Sequence, residues 1–99
     1  MPKSGFSANS QAKVCAAAVV TALAGESLPQ PSYANTCYSL IGPEYGISVS
    51  AVYRLTDGKI GGVKGAGGVS PSDASPEVRA KEAEYAQGWY ASIIMDTFG

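Results

Sequence analysis

The sequence predicts an α+β fold with an N-terminal helix, a three-stranded antiparallel meander and a C-terminal helix. Three observations predict it. An alanine-rich segment over residues 11–24 stops at Gly25; a strictly alternating run over 47–55 leads into Thr56-Asp57-Gly58-Lys59; and Ser75-Pro76-Glu77 opens a last segment with helical apolar spacing. The order helix, strands, helix carries no internal repeat. With 99 residues the chain makes at most one small domain, and a chain of this size buries only about 60 to 65% of the surface its unfolded form exposes.

Ser7, Asn9 and Ser10 are candidate caps for the first helix, and good helix formers continue to Gly25. Lys3 followed by the small apolar run over 14–24 imitates a signal peptide. The long polar stretch SGFSANSQ and Lys13, set directly against the apolar run, fit an amphipathic helix better. Small side chains at Ala16, Ala17, Ala18 and Ala22 let another backbone or a flat ligand approach closely. In ESLPQPSYANT the prolines at 29 and 31 exclude helix, which predicts an extended connecting segment outside the core.

Strand character begins at Cys37 and breaks at Gly42-Pro43. Beyond the turn, Ile47, Val49, Ala51, Tyr53 and Leu55 share one face and Ser48, Ser50, Val52 and Arg54 the other, as a half-buried strand requires. Asp57-Gly58 suits the positive backbone angles of a tight hairpin turn, and residues 59–64 return as the partner strand, weakened by Gly61 and Gly62. GAGGVSPSDASP reads as a flexible loop. The last helix runs from residue 76 to about 96, with Val78, Tyr85, Ala86, Trp89, Ile93 and Phe98 on an apolar, aromatic face that asks for cover.

Composition removes several functions. A net charge of −1 and the absence of histidine leave no basic field for nucleic acid or an anionic membrane. Two cysteines and no histidine cannot assemble a zinc-type ligand set, and a serine triad lacks its usual base. No run of about 18 apolar residues is present to cross a membrane. GAGGVS lacks the third glycine of a dinucleotide fingerprint and meets Pro71 where a helix should start. Asp73, Glu77, Glu82 and Glu84 read as cap and solvated-face charges. At 15%, charged residues fall well below the usual quarter, so part of the surface is expected to be covered. Cys15 fits helix packing as a small side chain. Cys37, after Asn35-Thr36 at the start of a strand, stands between an inert thiol and a reactive one, and nothing in the spacing compels a Cys15–Cys37 bridge. Trp89 beside Gly88 gives a flat indole room to lie against a planar partner.

PKSGFSANSQAK, PSYANTCYSLIGPEYGISVSAVYR and GWYASIIMDTFG, running together from residue 2 to residue 99, resemble the C-terminal part of the flavoprotein subunit of flavocytochrome c sulfide dehydrogenase. The resemblance implies the C-terminal domain of a flavin-dependent disulfide-reductase-like fold. Residues 1–28 would be a helix completing the FAD-binding domain, and 29–99 the C-terminal flavin-binding domain. It implies a periplasmic oxidoreductase that takes electrons from sulfide onto covalently attached FAD and hands them to a cytochrome c subunit. The covalent link and the nucleotide fingerprint would lie in the remainder of the flavoprotein, ahead of this segment, so this chain alone would be inactive. By the same resemblance the cysteine of NTCYS, Cys37, is half of a redox-active disulfide over the flavin ring, with its partner in that preceding region. Lys3, Ser4, Gly5, Phe6, Asn9, Thr36 and Trp89 match positions at the flavin. Lys3 would sit near the pyrimidine end, the start of the first helix would point its N–H groups at the same ring edge, and Trp89 would lie near the flavin and the cytochrome contact. Two readings from other classes remain: a stand-alone interaction module of the same fold without redox activity, and a small secreted domain that loses its first 24 residues.

Overall fold

The computed structural model describes all residues from Met1 to Gly99. The elements are α1 (Gly5–Leu23), β1 (Ser32–Gly42), β2 (Tyr45–Thr56), β3 (Lys59–Gly62), β4 (Gly68–Val69) and α2 (Pro76–Phe98), an α+β arrangement. In the sheet, β2 has β1 and β3 as neighbours and also pairs with the short β4, which the expected three-stranded meander did not include. Two units divide the chain, one of Met1–Asn35 with Ala51–Gly67, the other of Thr36–Ser50 with Gly68–Gly99.

In the first unit, α1 starts earlier than the residues at 7, 9 and 10 suggested. Ser4 is the N-cap, in extended conformation (φ −133°, ψ 160°), and its side chain accepts the N–H of Ser7. Gly25 ends the helix as expected. At φ +74° it donates to Ala22 O while Glu26 N reaches Thr21 O, the paired bonds of a Schellman motif. The helix is not amphipathic in the expected sense, because its one buried residue is Ser7 and Val19, Val20 and Leu23 are exposed. The segment after Pro31 is not a mere connector either. It is strand from Ser32 onward, and Asn35 is buried. Asp57 and Gly58 take φ +52° and +75°, so the hairpin closes as their sequence requires and pairs Leu55 with Ile60 and Thr56 with Lys59.

In the second unit, Pro43-Glu44 makes a two-residue turn between β1 and β2, and β4 pairs with β2 through Val49↔Val69 and Ser50↔Gly68. Part of the glycine-rich segment is therefore strand, and Ser70 N extends the pairing to Ser48 O. α2 opens as predicted, with Ser75 accepting Val78 N and Pro76 in the first turn. Its inward face keeps only part of the expected stripe, with Ala86 buried and Trp89 and Ile93 half-buried. Arg79, Ala83 and Ala86 are buried, whereas Val78, Tyr85 and Phe98 are exposed. The reason is Gly46: a Cβ there would lie 2.5 Å from Ala83 N and 2.7 Å from Glu82 C, so the helix backbone meets the strand directly and only small side chains fit beside it. α2 thus packs on the Gly46 side of β2, and the alternate face carrying Ile47 and Val49 stays open.

Candidate functional site

In the second unit the hydroxyls of Thr36 and Ser50 hydrogen-bond at 3.0 Å, which places both residues on one face of the sheet. Strand alternation then puts Cys37 and Ser39 of β1, with Ile47 and Val49 of β2, on the other. Val69, paired with Val49, joins them. This face is uncovered: Cys37 is exposed, Val49 retains 50% and Val69 71% of its accessible surface. The result is a thiol on a floor of branched aliphatic side chains. A planar heterocycle laid there would meet sulfur, the Ser39 hydroxyl and mostly hydrocarbon, and the hollow over Ile47, Val49 and Val69 is bordered by Ser70, Ser72 and Arg79. Cys37 and Cys15 form no disulfide with each other.

Trp89 lies on the opposite face. Its ring is 6.2 Å from that of Tyr38 at an interplanar angle of 36°, and Tyr38 alternates with Cys37 along β1. A groove of about 370 Å³ opens there between Tyr38, Leu40, Trp89 and Tyr90. Within this unit, then, Thr36 and Trp89 belong to the α2 side of the sheet and Cys37 to the open side.

The remaining expected site residues belong to the first unit, at the start of α1. Lys3 and Gly5 are exposed, and Phe6 and Asn9 are half-buried. Ser4 Oγ is engaged twice, accepting from Ser7 N and donating to Asn35 Oδ1 at 2.5 Å. Lys3, Ser4, Gly5 and Ser7 line an open groove with Met1 and Gln11.

One cluster was not legible in the sequence. Glu82, expected on a solvated face, turns inward and accepts hydrogen bonds from Ser70 Oγ at 2.6 Å and Ser48 Oγ at 2.8 Å. The Ser70 hydroxyl is the largest cause holding its carboxyl below the ordinary range; burial acts upward, and Ser48 and the Arg79 charge act downward. Arg79, 5% exposed, lies 3.9 Å from Glu82, donates to Pro71 O at 2.7 Å and stacks 5.0 Å from the Tyr45 ring centre. These bonds fix residues 70–72 to α2, so the segment read as a flexible loop is anchored. The available signal was Gly46 itself, a glycine directly before the alternating run at 47–55 and not directly preceded by a turn residue, which can mark a close backbone approach. No three or more Cys, Asp or Glu side chains gather into a metal site.

The family model described as flavocytochrome c sulphide dehydrogenase, flavin-binding, matches residues 29–98. That span covers most of the chain, including Cys37, both of its sheet faces in the second unit and nearly all of α2, and so the chain belongs to this flavin-binding family.

Proposed function

We propose that this chain is the flavin-covering, cytochrome-facing part of a sulfide dehydrogenase, with residues 1–28 completing the FAD-binding domain and residues 29–99 forming the C-terminal domain. Cys37 is then one half of a redox-active disulfide whose other sulfur comes from the preceding part of the flavoprotein, and the setting is the periplasm. The observation that carries this reading is the exposure of Cys37 on an uncovered apolar face, in a chain of a flavin-binding family.

The flavin, when bound, accepts an electron pair and passes electrons on singly. The work of this chain's residues is more limited. With the disulfide formed, hydrosulfide attacks one sulfur, a new S–S bond forms, and the other sulfur leaves as a thiolate. Val49 and Val69 offer apolar surface on the same face for a ring to rest against. Lys3 supplies positive charge for negative charge that develops on a nearby ring. The Tyr38–Trp89–Tyr90 groove, on the face away from Cys37, offers aromatic surface to a cytochrome c subunit.

The test is Cys37→Ser in the flavoprotein that carries this segment. Sulfide-dependent haem reduction should disappear while flavin remains attached; undiminished turnover would remove the thiol from the mechanism. The isolated chain mixed with sulfide, FAD and cytochrome c should reduce no haem above the uncatalysed rate.

A further inference from the structure

Ser4, Ser7 and Ser10 recur every third residue along the first turns of α1, and all three meet β1. Ser4 Oγ and Ser7 Oγ both donate to Asn35 Oδ1, at 2.5 and 2.9 Å, and Ser10 Oγ accepts the N–H of Ala34 at 3.1 Å. The centre of this seam is closed to water, with Ser7 at 2% and Asn35 at 3% exposure. Ser4 closes a ring of bonds, since the hydroxyl that donates to Asn35 also accepts Ser7 N. Apolar contacts between a helix and a strand tolerate sliding and rotation. Directed hydrogen bonds buried away from water do not, because a displaced register leaves donors and acceptors stranded. α1 has no buried apolar side chain of its own to compete with them.

We propose that Asn35 is a positioning residue, whose side-chain oxygen sets the rotation and register of the first turn of α1 and through it the place of Lys3 and Gly5. This rests on the flavin reading given above only for what Lys3 and Gly5 then face; the seam itself does not depend on it. Asn35 touches neither substrate nor flavin in this proposal.

Hydrogen exchange on the full chain tests the seam. Asn35→Leu, which keeps bulk and removes the acceptor of two hydroxyl donors, should speed exchange of the Ser7 and Ala8 amides about tenfold or more, since each net hydrogen bond lost is worth about 1 kcal/mol, while amides of α2 keep their rates. Asn35→Asp, which retains an oxygen acceptor, should restore protection. Should Asn35→Leu fail to fold, Ser7→Ala carries the same measurement. Unchanged exchange at residues 7 and 8, or equal acceleration in α2, would overturn a positioning role. In the FAD-loaded flavoprotein, Asn35→Leu should shift the flavin absorption bands at full flavin content. A loosened first turn with unshifted bands would sever this helix start from the flavin and leave the seam standing.

Discussion

Gly46 admits no side chain, because the three atoms a Cβ would strike, Ala83 N, Glu82 C and Ala83 Cα at 2.5 to 2.9 Å, are all backbone and cannot rotate aside. Gly46→Ala should therefore cost about 1–3 kcal/mol or more, read as a lower urea midpoint with α2 displaced. Glu82 gives a pH dependence whose sign follows from its lowered pKa. Its ordinary value is 4.5. In the unfolded chain the carboxyl takes up protons through that value, while in the folded chain Ser70 and Ser48 delay it. Stability from this group is complete above 4.5 and is lost as pH falls below it. Thermal melts of the native chain should drop across that acid range, and Glu82→Gln should flatten that drop. The inward turn of Glu82 was not readable from its own helix, since helical periodicity marks the apolar stripe, and the one signal for it was a glycine on another element. Cys37 was legible as a question, and the structure adds that it is exposed on the face of the sheet that α2 leaves open.

Among the elements, those defined by local chemistry were legible. Gly25 as a helix stop, Asp57-Gly58 as a tight turn and Ser75-Pro76 as a helix start each act within a few residues, and each appears where expected. The start of α1 at Gly5, the start of β1 at Ser32 and the existence of β4 were not, because distant partners decide them: Asn35 receives the first turn of α1, and Val49 pairs with Val69. The cap shows how much rests on one side chain. Ser4→Ala removes the acceptor for Ser7 N and a donor to Asn35, so it should destabilise by about 1 kcal/mol or somewhat more, with the helical circular dichroism lost first from α1. A Ser4→Ala variant as stable as the native chain would show the cap to be dispensable.

For the molecule as a whole, the exposed area is the telling quantity. A folded monomer of 10.1 kDa exposes about 5,300 Å² by the area–mass relation, whereas this chain exposes 6913 Å². The excess is roughly twice the ~800 Å² that one partner gives to a standard interface. No large side chain is fully buried, and Leu23 and Phe98 remain 84% and 79% exposed. The isolated chain should accordingly associate with rising concentration in light scattering and enhance the fluorescence of an apolar dye. A chain that stays monomeric and dye-silent would favour a self-sufficient module over a part of a larger flavoprotein. The bare valines beside Cys37 carry a practical corollary for protein engineering. Anyone recasting this segment as an independent, well-behaved reagent would first repaint Val49 and Val69 with hydrophilic groups, and that improvement in handling would erase the greasy berth that the proposed sulfur chemistry calls for.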